Sequence, residues 1–229
     1  MNPRVSLKHH IYTYSGKLCS IEDPPSIEDV IVSLGRIARF SGNTTYDFNV
    51  MAHSIHVAYI LWVTGNDHLI LQGMVHDATE CMFGDIPTPF KNEATRYLEK
   101  YAASNMFKSY GYDFTVFEPV VYTADKISLV MEARELLKGE AWKTILSSVE
   151  LPSWQVDNIN PKFLRQLIQK CDKEKSKFRP PNGILYTKIL ALIAKLKELP
   201  KHQGEAFQDF LYECFDPGLK RDAEKVGSL

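Results

Sequence analysis

His76 and Asp77 are adjacent, and Glu80 follows within the run Met74-Val75-His76-Asp77-Ala78-Thr79-Glu80. Imidazole nitrogen and carboxylate oxygen together make a donor set for a divalent transition metal, and a further carboxylate one turn on is placed to move a proton. If the segment is helical, Glu80 lies four residues from His76 and three from Asp77, on one face. Adjacent His and Asp are then about 100° apart, so they share one ion only if other helices supply the remaining ligands. His53 and Asp125, each within an apolar run, are the candidates. A histidine between Ala52 and Ser54 also reads as a hydrogen-bonded core residue, and a His-Asp pair is short enough to arise by chance. Asp125 is harder to dismiss, because VVYTADKISLVMEA surrounds a short acid with apolar residues and a buried carboxylate without a partner is costly. It needs a cation, and Lys126 points away at the next helical position.

Asn49-Val50-x-x-His53-Ser54, then His76-Asp77-Ala78-x-Glu80, then Gly84-Asp85-Ile86-Pro87-Thr88-Pro89-x-Lys91, then Ala124-Asp125 stand in this order. Together they resemble the H…HD…D signature of HD-domain metal-dependent phosphohydrolases, in the branch of bacterial 5'-deoxynucleotidases and phage dATP triphosphohydrolases. Ser26-Ile27-Glu28-Asp29 and Arg39-Phe40-x-Gly42 fit that branch too, so the resemblance covers about residues 10 to 145.

The resemblance implies one divalent ion held by His53, His76, Asp77 and Asp125, a mixed nitrogen and oxygen set that suits Mn, Co, Fe or Zn better than Mg or Ca. Such an ion polarises a phosphoryl oxygen or lowers the pKa of a water. Glu80 becomes the acid/base partner and Asp85 a second candidate for that role. Phosphate needs cations: Arg39 is suited to a bidentate clamp and Lys91 to a point charge beyond the proline-rich turn. Phe40 and Trp62 could stack on a base, although aromatics at helical spacing more often belong to a core. His56 reads as a structural or outer partner, because the branch with a second metal carries extra histidines and a Gly-Tyr-Pro signature lacking here. His9, His10, His68 and His202 read as surface residues.

The function this implies is hydrolysis of a deoxynucleotide, with a dATP triphosphohydrolase releasing deoxynucleoside and triphosphate as the first expectation. That preference rests on Ser26-Ile-Glu-Asp, Arg-Phe-x-Gly and Asp125 followed by Met131-Glu132-Ala133-Arg134, which look more like phage members. A 5'-deoxynucleotidase acting on monophosphates is nearly indistinguishable at motif level. Hydrolysis of an alarmone or cyclic nucleotide has no further motif in its favour. A non-catalytic nucleotide-sensing HD module would be expected to have lost Glu80 or a ligand.

The elements that must position these residues read as an all-α bundle with a C-terminal helical extension. Ser26 caps a helix running to about Phe40, Asn49 caps one through VMAHSIHVAYILWV, and a third runs from about His68 to Met82. Gly84 to Pro89 interrupts, since two prolines so close leave no continuous helix. Residues 91 to 110 and 117 to 137 are helical again, and no strand pattern has any length. LPSWQVDNINPKF reads as loop, Lys170 to Lys177 as a charged run and FRPPNG as a break; Leu185 to Leu199 and Glu205 to Cys214 are two closing helices. On this reading residues 1–150 hold the phosphohydrolase domain and 151–229 a linker or insertion with helices that pack back. The stretch 155–199 is an oligomerisation arm or a lid, and a homo-oligomer is expected.

With 45% apolar and 24% charged residues among 229, the composition is that of an ordinary globular domain, and a net charge of -1 offers no global field for nucleic acid or an anionic membrane. A small-molecule nucleotide is therefore the expected partner, gripped locally. Cys19, Cys81, Cys171 and Cys214 lie far apart without metal spacing and read as free thiols in a reducing compartment. The first residues lack an apolar signal region, so a cytoplasmic location is expected, the host cytoplasm if the gene is a phage's.

Overall fold

Ser26 opens the first helix, α1 (Ile27–Leu34), its side chain accepting from the Asp29 backbone N–H at 3.2 Å. The helix stops at Gly35, short of the expected Phe40. Ile37 to Arg39 instead run extended and pair with Phe48 to Val50, through Arg39 N–H to Phe48 O and Val50 N–H to Ile37 O, both 3.0 Å. Phe40, Ser41 and Gly42 then turn back with φ of 52°, 54° and 76°. Two non-glycine residues in the left-handed region cost about 1 to 2 kcal/mol each, so the turn is held by its surroundings.

Asn49 caps α2 (Val50–Val63) by accepting from Ala52 N–H, and all fourteen residues of this helix are buried. The reason is in its sequence: no charged side chain interrupts VMAHSIHVAYILWV, so no face favours water. It is the axis around which α3 (Ile70–Val75), α6 (Pro119–Leu136) and α9 (Lys162–Lys173) pack. A Cβ at Gly73 would lie 2.7 Å from Leu61 Cδ1 and 3.3 Å from Ala58 backbone, so glycine is what lets α3 approach α2.

The expected helix from His68 to Met82 is broken. A short 3-10 turn at Asp67–Leu69 precedes α3, and α4 (Glu80–Phe83) follows a turn at His76 to Thr79. Its hydrogen bonds span three residues, Ala78 N–H to Val75 O and Glu80 N–H to Asp77 O. That tighter winding eclipses residues three apart, which brings Glu80 over Asp77 rather than over His76. Gly84, at φ 78°, ends α4. Asn92 caps α5 (Glu93–Ser109), and α6 begins with Pro119 in its first turn, where a missing N–H costs nothing.

Beyond residue 137 come α7 (Ala141–Ser148), α8 (Ser153–Asp157), α9, α10 (Ile184–Glu198) and α11 (Gln203–Cys214). The stretch expected to be loop and charged run is thus largely helical. Phe163, Leu164, Leu167, Ile168 and Cys171 form a buried stripe at helical spacing with the lysines on the other side, and one apolar core takes in residues from both sides of position 150. The computed structural model describes residues 10–173, 183–216 and 219. His9, most of FRPPNG and the end of the Lys170 to Lys177 run lie outside them. Among the described residues the architecture is all-α, the sheet being one hairpin of Ile11–Tyr12 with Leu18–Cys19. No helix there is long and apolar enough to cross a membrane.

Candidate metal centre

His53 and His76 stand on different helical segments with Nε2 atoms 3.2 Å apart. Asp125 Oδ1, from α6, lies 3.0 Å from His53 Nε2 and 3.8 Å from His76 Nε2. Asp77 Oδ2 lies 3.5 Å from His53 Nε2 and 3.2 Å from His76 Nε2. Ligand atoms sharing one ion at about 2.0 to 2.2 Å are roughly 3 to 3.5 Å from one another, so the observed separations suit a common centre. His53, His76 and Asp125 form a group that could hold a metal ion.

The other edge of each imidazole decides which nitrogen is free. His76 Nδ1 lies 2.8 Å from Gly73 O, a carbonyl that only accepts, so Nδ1 carries the hydrogen and Nε2 its lone pair. His53 Nδ1 lies 2.7 Å from Glu132 Oε1. Burial opposes ionisation of Glu132, yet His53 and Arg39 hold its carboxyl down at about 2, so it too accepts. Two imidazole lone pairs and two carboxylates therefore face one point, an arrangement that demands positive charge. The ionisation equilibria carry the same signature. Burial and Arg39 oppose protonation of His53, but Glu132 and Asp125 win and raise its pKa; against its own burial His76 is raised well above the usual range by Asp77 and Asp125. In return the imidazoles hold Asp77 at about 2 and Asp125 well below the ordinary carboxylate range, although burial opposes both.

Glu80 behaves in the opposite way. It is 6% exposed, its Oε2 is buried without a hydrogen-bond partner, and burial with the charges of Asp77 and Asp85 pushes its pKa up to about 9 despite Arg39 and Lys91. Its surroundings thus favour the neutral carboxyl, beside aspartates whose surroundings favour the ionised form.

The expected phosphate cations are placed differently from the expectation. Arg39 is buried and tied by Nε to Glu132 Oε2 at 3.4 Å and by Nη1 to Asp85 Oδ1 at 3.3 Å. Asp85 is thereby engaged as a counter-ion. Lys91 pairs with Glu99 at 2.9 Å, and both are mostly buried. Phe40 is partly buried under the Arg39 guanidinium, 5.6 Å from the ring centroid, whereas Trp62 is wholly in the core between Tyr59 and Phe207. His10, His68 and His202 are exposed. His56 is fully buried, its Nδ1 2.8 Å from Ser128 Oγ and its ring against Tyr59 and Phe163; burial lowers its pKa to about 4.

Two participants were not singled out from sequence. Glu132 and Ser128 lie on the same stripe of α6 as Asp125, at spacings of seven and three, and Ser128 Oγ donates to Glu132 Oε1 at 2.8 Å. The available signal was a glutamate among apolar residues on the ligand's own helical face, since an unpaired buried carboxylate is as costly at 132 as at 125.

No family model matches the chain. It is similar to the uncharacterized protein YfdR of Escherichia coli (strain K12), 29% identical over 158 residues, a span of 66% of this chain and 85% of that protein.

Proposed function

We propose that this protein is an HD-type metal-dependent phosphohydrolase of deoxynucleotides. The observation that carries the reading is the convergence of His53, His76, Asp77 and Asp125 with both Nε2 atoms turned inward, next to the buried and unpartnered Oε2 of Glu80. The four side chains would hold one divalent ion, Mn, Co, Fe or Zn by donor type. A divalent ion there supplies Lewis-acid charge to a phosphoryl oxygen and acidifies water.

The chain's own residues do the rest. Glu80 holds a proton for the departing oxygen, and Oε2, left without a partner, is where that proton is available. Burial of His53 and His76 keeps bulk water from their nitrogens, while Asp77 and Asp125 stay partly exposed on the side open to a substrate. Arg39 stays cationic beside it, and Phe40, held in a left-handed turn, presents its ring next to that cation.

The motifs favour release of triphosphate from a deoxynucleoside triphosphate such as dATP. A second reading, phosphate release from a deoxynucleoside monophosphate, is favoured by one observation: Arg39 and Lys91 are both already paired with carboxylates, which suits the less charged substrate. A panel of deoxy- and ribonucleotide mono-, di- and triphosphates with added Mn, Co, Mg or Zn, read by product chromatography, tests both. Absence of turnover on every deoxynucleotide sinks the proposal.

A further inference from the structure

We infer that Glu132 is a positioning residue that sets His53 as a donor to the centre and binds Arg39 to the same point. The inference rests on the metal reading above. His53 is completely buried on a helix with no solvent face, so water does not choose which ring nitrogen carries the hydrogen. Glu132 Oε1, 2.7 Å from Nδ1, makes that choice and turns the Nε2 lone pair toward His76, Asp77 and Asp125. A carboxylate on the far nitrogen also makes an imidazole a stronger donor.

The two oxygens of Glu132 are divided between tasks. Oε1 takes His53 Nδ1 and Ser128 Oγ, which holds the carboxylate in place, while Oε2 faces Arg39 Nε. Asp125 and Glu132 share one face of α6, so this helix supplies both a candidate ligand and the group that orients the ligand opposite. The charges agree with this division. Arg39 faces both Glu132 and Asp85, and the two aspartates at the centre, Asp77 and Asp125, would balance a divalent cation. This also accounts for an arginine sunk beside the centre instead of reaching out for phosphate. Packing alone does not call for an acid at 132, because an apolar side chain of similar volume fills such space at no desolvation cost.

The test uses the full chain, stripped with a chelator and titrated with Co(II), read by visible absorption and calorimetry. Glu132→Gln keeps the size and an acceptor for His53 and Ser128 but removes the charge and turns an amide NH2 toward the Arg39 Nε–H, donor against donor. Its Co(II) affinity should fall roughly 10- to 100-fold. Ser128→Ala removes the hydroxyl that donates to Glu132 Oε1 and meets His56 Nδ1, leaves the carboxylate's charge in place, and should weaken Co(II) by about two- to tenfold. Both should keep wild-type helical content and a cooperative melt in chelator. A folded Glu132→Gln protein with wild-type Co(II) affinity overturns the inference. If that variant does not fold, Ser128→Ala decides, and unchanged affinity there overturns it equally. Failure of the wild type to bind Co(II) refutes the metal reading itself, and this inference with it. Wild-type binding with unaltered variants refutes this inference alone.

Discussion

The Nε2 atoms of His53 and His76 face each other at 3.2 Å across two helical segments, each with its opposite nitrogen committed to an acceptor. With the hydrogens on Nδ1, the two Nε2 lone pairs face each other and two carboxylates, an arrangement that positive charge at this point relieves. His76→Ala or Asp125→Ala should therefore abolish metal binding and hydrolysis together. The loss of affinity should exceed the roughly 10- to 100-fold typical of removing an outer partner. Metal content by atomic spectroscopy after gel filtration checks it; a His76→Ala protein that retains stoichiometric metal would remove His76 from the centre.

Glu80 is expected to separate binding from chemistry. Glu80→Gln mimics the neutral carboxyl but carries no transferable proton, so metal occupancy should stay near normal while turnover falls about 10²- to 10⁴-fold. Asp85 cannot readily substitute, because Arg39 already occupies it. Wild-type turnover in Glu80→Gln would assign proton transfer elsewhere.

Lys91 and Glu99 offer a test of phosphate number. If Lys91 leaves Glu99 to meet a triphosphate, Lys91→Ala should lower kcat/KM for dATP by about 1.5 to 3 kcal/mol, roughly ten- to a hundredfold, with little effect on dAMP. Glu99→Gln, which releases the lysine, should raise it for dATP alone. Equal effects on both substrates, or turnover of dAMP only, would favour the monophosphatase. Arg39→Ala should damage both activities and destabilise the fold by about 3 to 5 kcal/mol, because it strands the buried Glu132.

His56 should contribute an acid-sensitive element of stability. Its folded pKa, about 4, lies below the ordinary 6.5, so between these values the unfolded chain binds the extra proton. Stability is complete above about pH 6.5 and lost as pH falls toward 4, with a slope near 1.4 kcal/mol per pH unit at most. His53 and His76, with raised values, act in the opposite sense. Comparison with His56→Gln by urea unfolding at pH 7.5 and 5 isolates the histidine: the wild type should lose more stability than the variant. Equal losses would mean that His56 is protonated in the folded state.

Gly73→Ala should cost about 1 to 3 kcal/mol, since the new methyl meets Leu61 at 2.7 Å and Ala58 backbone at 3.3 Å. It should weaken metal as well, because the carbonyl of residue 73 orients His76. Thermal melts and Co(II) titration of this variant measure the two effects separately; an unperturbed Co(II) affinity would show that α3 can shift without moving His76.

The sequence by itself determined what is encoded locally. Ser26, Asn49 and Asn92 stand where helices begin because short polar side chains satisfy N–H groups a few residues away. The uncharged run of α2 announces a buried helix, and the residue types at 53, 76, 77 and 125 are those of a transition-metal donor set. Tertiary structure decided what depends on distant partners. Arg39 and Lys91 look like free cations in the chain, and only the fold sets Glu132, 93 positions away, and Asp85 against the first. The extended pairing of Ile37 to Arg39 with Phe48 to Val50 shortens α1, which its own residues would have continued. The three-residue winding after Val75 likewise appears only in the fold, where His76 meets His53 of α2. The stripe of α9 was hidden by its lysines, which matter little once Phe163 and Leu167 have a core to enter. Glu132 is the sharpest case: Ser128 stands one turn before it on α6, but the charged partners that make a buried acid interpretable, His53 of α2 and Arg39 after α1, are too remote in sequence for any helical period to reveal.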